Sequence, residues 1–530
     1  MKKQGRDDTV MYKKGKKPLT EYLQDHARQR PNDPAYIYYG KAWNWRDVLE
    51  QVQKVAGFLT SAGFTKGDRI GLFMQNGPPY VIAHYAIQYI GAVVCPLSPM
   101  YKAGELDYFV EEVGMCAVFA GSELLSEVRK MEHTLARVIA VRNSEYRADA
   151  VSEKDSTLQQ REVAWRDVLL EGPSLQKPTA VDMDETALLA FTSGTTGRPK
   201  AAMLTYGNAL YKTAAAVSAN GVENRETWLA VMPLCHIAGM VMGVNIPVYT
   251  GAPCVLMERF DPVETLRMLK HYEVTVWYST APMNEAILDM GTEGTLEHLR
   301  LNLCTSFGMP VTESLAERWK ELAPGCCLFE ASYGLSESHT VDTYMPAEKV
   351  KFGSVGVPVP GSRIEIHDPW TGEACPPGES GEIVIRSPGV FKGYWNRPEA
   401  TAEVRKDDWL HTGDIGYFDE DGYLYFQGRS KEMIKSSGFS IFPEDVESLW
   451  KKHPAVVQAA VIGIPDERKG EVVKAFLVLQ QDADVTEEEL TGWAKEHMAR
   501  YKVPSAIEIR RSLPQTSAGK ILRRLLKTET

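Results

Sequence analysis

The sequence predicts an α/β fold, and three observations carry that prediction. Short apolar runs alternate with amphipathic stretches through the N-terminal part, charge vanishes from Thr227 to Met257, and after about Gly353 the texture turns to Gly, Pro and two-residue alternation. The expected architecture is a large N-terminal domain, residues 1–430, holding two βαβ-type parallel-sheet subdomains and a small β-barrel-like subdomain. A small α+β C-terminal domain, residues 431–530, follows on a short hinge.

Arg69 to Met74 reads as a buried strand, Pro79 to Ile90 as a helix opened by proline, and Ala92 to Leu97 as the returning strand of a βαβ unit. Trp228 to Met232, His236 to Tyr249 and Pro253 to Met257 repeat the scheme. The next helix has Asp261 as its cap, Pro262 in its first turn and Glu264 completing a capping box, and Val274 to Tyr278 is another buried strand. The 31 uncharged residues from Thr227 to Met257 are long enough for a membrane span. Pro233, Pro247, Pro253, Gly239, Gly243, Gly251, Asn245 and His236 divide them, so strand, helix and strand are expected and no transmembrane segment. Beyond Gly353, Arg363 to His367, Glu382 to Arg386 and Tyr423 to Gln427 read as strands of the small β unit. The C-terminal part shows strands at Gln458 to Ile464 and Val472 to Leu479, a helix capped by Thr486 with Glu489, and a strand near Ile507.

With 530 residues and 44% apolar content the chain can bury several cores, and its net charge of −11 argues against bulk attraction to nucleic acid or to an anionic membrane. Cations concentrate only at the start, at Lys2, Lys3, Arg6, Lys13, Lys14, Lys16 and Lys17. No apolar stretch follows them, so they read as a frayed, solvated terminus and not as a signal peptide. The eight cysteines show no CxxC and no metal-ligand spacing, and are expected as buried free thiols in a reducing cytoplasm.

One loop stands out chemically. Thr192-Ser193-Gly194-Thr195-Thr196-Gly197-Arg198-Pro199-Lys200 follows the apolar run Thr186 to Phe191. Its glycines let successive N–H groups face an anion, its hydroxyls add donors, and Arg198 and Lys200 add charge, which suits a polyphosphate. It is not a kinase P-loop, because no GxxxxGK[ST] occurs.

Five further segments follow: Pro233-Leu234-Cys235-His236, Tyr333-Gly334-Leu335-Ser336-Glu337, Thr412-Gly413-Asp414, Gly428-Arg429-Ser430-Lys431-Glu432 and Pro514-Gln515-Thr516-Ser517-Ala518-Gly519-Lys520. In this order and at these separations, over residues 20–527, they resemble the adenylate-forming superfamily of acyl-CoA synthetases, luciferases and peptide-synthetase adenylation domains. Gly428 to Glu447 and Gly393-Tyr394-Trp395 look closest to the fatty-acyl and aryl CoA ligases.

The resemblance implies that ATP, Mg²⁺ and coenzyme A are bound and that a small-molecule carboxylic acid, a medium- or long-chain fatty acid, is activated through an acyl-adenylate. It implies that Thr192, Ser193, Gly194, Thr195, Thr196, Gly197 and Lys200 hold the β- and γ-phosphates, and that Glu337 helps hold Mg²⁺ with indirect help from Thr195. Gly308, Tyr333, Gly334 and Ser336 are implied on the nucleotide side, Asp414 as acceptor for the ribose hydroxyls, and Arg429 beside it. His236 would wall the acyl carboxylate, and Lys520 would bridge that carboxylate and the α-phosphate during adenylation. Between the two half-reactions the C-terminal domain would swing about Lys431, bringing Lys435 to Gly438 over the pantetheine arm.

Ile237 stands where amino-acid-activating relatives place an aspartate, which points to an acid without an α-amino group. Met240, Met242, Gly243, Trp277, Tyr278, Ser306, Phe307 and Met309 are the expected pocket lining. Phe307 and Met309, larger than is usual there, leave chain length open. A carrier protein's phosphopantetheine is the alternative acceptor, a non-catalytic sensor is the alternative from another class, and a second copy of the chain is the open question of assembly.

Overall fold

The computed structural model describes residues 12–150, 158–192, 199–291, 295–306, 310–436, 439–441, 443–466, 470–481, 483, 485–498, 500–516 and 521–528; the side chains of 431, 435, 439, 440, 445, 470 and 524 lie outside that description. Two seven-stranded sheets form the N-terminal part. The first runs Glu162–Ala164, Arg137–Val141, Ala117–Gly121, Arg69–Phe73, Val93–Leu97, Thr186–Thr192, Lys200–Thr205, parallel until the last pair. The second runs Cys327–Glu330, Leu301–Thr305, Val276–Thr280, Trp228–Ala230, Cys254–Leu256, Pro34–Tyr38, Lys41–Asn44, again parallel except for its final hairpin. Buried on both faces, such strands read as continuous apolar runs, which is how they showed in the sequence.

The helix Pro78–Tyr89, buried along its whole length, lies in the core cluster that also takes one face of each sheet, with Ile70 and Leu72 from the first and Tyr36, Cys254 and Leu256 from the second. The other face of the second sheet has its own core, where Trp277 packs on Trp319 at 5.8 Å between ring centroids. Burial of each such aromatic contributes about 1.5–3 kcal/mol. A five-stranded antiparallel sheet follows: Arg363–His367, Gly381–Arg386, Trp409–Phe418 and Arg405–Lys406, with Leu424–Arg429 pairing on Trp409–Phe418. Beyond it Ile434–Ser436, Phe439–Ile441, Val456–Asp466, Gly470–Leu479 and Ala506–Ile509 make a separate sheet over a core of Ile434, Val446, Trp450, Val461 and Leu490.

Three details differ from the sequence reading. The helix expected from His236 to Tyr249 is interrupted: Ile237–Met240 and Ile246–Thr250 flank a π-helical turn, Val241–Asn245. Pro247 cannot donate, and its ring crowds the carbonyl four residues back, so the wider turn falls just ahead of it. Asp261 caps Pro262–His271 by accepting from the Glu264 N–H at 2.8 Å, but the Glu264 carboxylate turns to Arg267 at 2.7 Å instead of closing a capping box. The basic start is anchored from Tyr12 onward. Lys13 N–H donates to the Tyr249 hydroxyl at 3.0 Å, and Lys17 pairs with Asp25 at 2.7 Å; residues 1–11 lie outside the described residues.

All eight cysteines are free. No helix among the described residues is long and apolar enough to cross a membrane.

Candidate active site

Three of the predicted segments leave the C-terminal ends of parallel strands, where α/β sheets place their sites. Thr186–Thr192 ends in the loop 193–199, Trp228–Ala230 leads to His236, and Cys327–Glu330 leads to Tyr333 and Glu337. Residues Ser193, Gly194, Thr195, Thr196 and Gly197, together with Gly308, Gly438 and Lys520, lie outside the described residues. What flanks them is well defined. Thr192 pairs with Lys200 across the base of the phosphate-type loop, and the Tyr108 hydroxyl donates to the Pro199 carbonyl at 2.6 Å.

The Lys200 ammonium sits 4.6 Å from the centroid of the Tyr394 ring, a cation–π contact. The Tyr394 hydroxyl in turn donates to Glu337 Oε1 at 2.7 Å, and the Phe391 N–H donates to the Glu337 carbonyl at 2.8 Å. Burial, reinforced by the Glu337 charge, pushes the Tyr394 hydroxyl well up, so it stays a donor. Tyr394 is a residue to which sequence reasoning gave no role, although Gly393-Tyr394-Trp395 was noticed. Its partner lies 57 residues away in sequence.

A second cluster is built on a hairpin. Asp414 on Trp409–Phe418 lies opposite Arg429 on Leu424–Arg429. Gly413 takes φ +70°, a conformation that favours glycine, and Asp414 next to it is 2% exposed. Its carboxylate accepts from the Tyr333 hydroxyl at 2.6 Å and pairs with Arg429 Nε at 2.9 Å. Burial alone would lower Arg429, but Asp414, Tyr333 and Glu337 outweigh it and raise it. The same field links the two clusters, because Arg429 also acts on Tyr394. Ser336 and Glu337 stand in the short 3₁₀ turn Ser336–Ser338, directly after Tyr333 and Gly334.

His236 stands on the second sheet's side of the site, after Trp228–Ala230. It occupies the N-cap of Ile237–Met240, its Nε2 is buried without a hydrogen-bond partner, and burial lowers its pKa, so the ring is neutral. An unpaired donor or acceptor of this kind is one a ligand can satisfy. Beside the Pro233–Cys235 loop opens a cavity of about 420 Å³, walled by Met74, Met100, Met232, Phe260, Pro282 and Met283. None of the described residues of the expected lining borders this cavity. Met240, Met242, Trp277 and Tyr278 are buried in core clusters, and Trp277 packs on Trp319. Phe307 and Met309 lie outside the described residues.

In the C-terminal unit Lys431 falls in the 3₁₀ turn Ser430–Glu432 and Lys435 in the strand Ile434–Ser436, with their side chains outside the description. The segment that carries Lys520 is pinched at both ends, by pairing of Gln515 with Ile521 and by Leu522 N–H donating to the Pro514 carbonyl at 2.8 Å. Three residues further on, Arg523 binds Glu447 through two nitrogens at 3.0 and 2.8 Å, Glu444 at 2.9 Å, and Glu432. Burial and the neighbouring acids push Glu444 up to about 7, with Arg523 opposing. One guanidinium thus joins the residue after Lys431 to the helix after Lys520.

Known proteins resemble the chain over nearly its whole length. The model of the AMP-binding enzymes matches residues 23–395, and that of the AMP-binding enzyme C-terminal domain matches residues 445–520. A long-chain-fatty-acid–CoA ligase of Bacillus subtilis is 34% identical, covering 97% of this chain and 95% of that protein. A feruloyl-CoA synthase of an Amycolatopsis species is also 34% identical, over 94% of this chain and 96% of that protein. The o-succinylbenzoate coenzyme A synthetase of Bacillus subtilis, solved with ATP and magnesium, superposes with a TM-score of 0.83 at 30% identity, covering 96% and 99% of the two chains. The chain belongs to the AMP-binding enzyme family and is an AMP-forming acid–thiol ligase.

Proposed function

We propose that this ligase activates a medium- or long-chain fatty acid with ATP and passes the acyl group to the thiol of coenzyme A. The observation that supports it best is the convergence of two carboxylates with separate surroundings. Asp414 is held by a hydroxyl and a guanidinium on the small sheet, and Glu337 is held by Tyr394 beside the Lys200 end of the phosphate-type loop. In this reading Asp414 accepts from the ribose hydroxyls, Tyr333 and Gly334 face the adenine, and the 192–200 loop grips the pyrophosphate end of ATP.

Among the described residues no group of three or more His, Cys, Asp or Glu could hold a metal. That fits Mg²⁺, which keeps its waters and binds through one or two carboxylates plus phosphate oxygens. Glu337 would be that carboxylate, and the ion would supply charge neutralisation at the phosphates. The substrate carboxylate oxygen attacks the α-phosphorus, the bond to the pyrophosphate oxygen breaks, and Lys520 offsets the charge at the centre. The coenzyme A sulfur then attacks the acyl carbonyl and AMP leaves, after the C-terminal domain, residues 431–530, has turned about Lys431 and brought Lys435 and Gly438 over the pantetheine arm.

Two features bear on the acyl class. Ile237 follows the neutral His236 where an ammonium partner would be charged, and the neighbouring cavity is lined by four methionines, a wall that adapts to apolar chains. ATP–pyrophosphate exchange across a panel of fatty, aryl and amino acids tests the reading, followed by thioester formation with coenzyme A or a phosphopantetheinyl carrier protein. Exchange restricted to aryl acids, or thioester formed only on the carrier, would refute the corresponding half.

A further inference from the structure

The helix Tyr206–Ala219 carries a buried cation with no part in the chemistry above. The side chains of Lys212 and Asp342 are both 0% exposed, with Nζ 2.5 Å from Oδ1. Nζ also donates to the Val341 carbonyl at 3.0 Å, and the Ser338 hydroxyl closes on the other carboxylate oxygen. Burial pushes the lysine down and the acid up, and their mutual contact opposes both shifts.

What this pair holds is a strained turn. His339, Thr340 and Val341 take φ of +58°, +55° and +49°, three consecutive left-handed residues, two of them β-branched. The turn is tied to the segment before it. Asp342 N–H donates to the Tyr333 carbonyl at 2.7 Å, Thr340 N–H to the Leu335 carbonyl at 2.8 Å, and His339 N–H to the Ser336 carbonyl at 3.1 Å. One helical turn before Lys212, Asn208 Nδ2 donates to the Pro388 and Val390 carbonyls at 2.7 and 3.1 Å. That stretch leads into Phe391 and Tyr394, which hold Glu337 from the other side. The Lys212 stem passes Gly389 so closely that a Cβ there would lie 2.1 Å from its Cε.

We propose that the Lys212–Asp342 ion pair is a positioning device: by fixing the left-handed turn 339–341 against one helix it sets where Glu337 and Tyr333 meet the nucleotide. The inference rests on the reading of Glu337 as the magnesium-side carboxylate.

The neutral double variant Lys212→Met with Asp342→Asn keeps side-chain size and leaves no lone buried charge. The expected result is a folded enzyme whose KM for MgATP in pyrophosphate exchange rises at least about tenfold, as small misplacements of reacting groups do. Thr340→Gly added to that variant recovers most of the loss, because glycine takes the left-handed conformation unaided. A pair that only fills the core predicts no rescue, so an unchanged KM, or no recovery with Thr340→Gly, overturns the proposal.

Gly389→Ala displaces Lys212 without touching either charge and decides the matter if the double variant does not fold. Its KM rises in the same direction, and a parental KM refutes the device. Glu337→Gln in the parent separates the two readings. If it leaves the KM for MgATP and the magnesium requirement unchanged, the role of Glu337 falls and the proposal with it. A large Glu337→Gln effect beside an unaffected double variant sinks the pair alone.

Discussion

Replacing Asp414 by Asn removes one charge and almost no volume, so its effect reads the carboxylate itself. In the parent the group is 2% exposed and engaged by Tyr333 at 2.6 Å and Arg429 at 2.9 Å. Loss of the charge leaves Arg429 without its nearest counter-ion. A fully buried partner would cost about 3–5 kcal/mol, but the Arg429 side chain is 30% exposed, and solvent screening brings that to about 2 kcal/mol. The binding effect is separate. Each ribose hydroxyl that donates to a carboxylate is worth about 1.5–3 kcal/mol, or about 10- to 150-fold in affinity. Pyrophosphate exchange with ATP and with 2′-deoxy-ATP, in parent and variant, isolates that term. In the parent the deoxy analogue loses about 10-fold or more; in Asp414→Asn the two nucleotides come within about threefold of each other. An equal deoxy penalty in both enzymes would show that Asp414 does not read the ribose.

Lys520→Ala lowers acyl-adenylate formation by at least about a hundredfold while thioester formation from supplied acyl-adenylate stays within about threefold, measured as separate half-reactions; equal loss in both refutes the assignment. Tyr394→Phe deletes the donor to Glu337 at 2.7 Å and raises the KM for MgATP by about tenfold, checked by titrating MgATP at fixed acid. His339 is held neutral by burial, its pKa lowered to about 3, against about 6.5 in the unfolded chain. The stability it contributes is present above about pH 6.5 and is lost as pH falls towards 3, about 2 kcal/mol by pH 5. Urea unfolding of parent and His339→Asn at pH 7.5 and pH 5 therefore shows the parent losing that much more than the variant, and parallel losses would contradict it.

Strands and helices were legible wherever burial imposed a period. The run Val274 to Tyr278 was found, but its ladder begins at Val276, paired with Leu301, because the apolar run extends past the hydrogen-bonded strand. The motif residues were legible as residue types, but Asp414 facing Arg429 was not: the ladder shifts by one residue between Gly416, opposite Phe426, and Ile415, opposite Gly428, and that bulge brings the two side chains together. Nor were the supports. Lys212 and Asp342 are 130 residues apart, and nothing local marks either as buried. Thr340 and Val341 are poor candidates for a left-handed turn, so only tertiary contact makes that turn possible. Trp277 was expected in the pocket because a strand covered on both faces gives no sign of which face meets a ligand; it points at Trp319.

The hairpin that sets Asp414 against Arg429 also acts as a ruler. A residue inserted within its ladder would turn every following side chain to the opposite face, sending Arg429 outward and rotating the chain as it enters the C-terminal unit. A residue inserted at the exposed tip, Glu420 and Asp421, leaves the ladder register unchanged and disturbs only the local pairing of Asp421 with Lys349 and Lys351. Length variation among relatives should collect at that tip, and a reporter domain grafted there would travel with the enzyme while leaving Asp414 opposite Arg429.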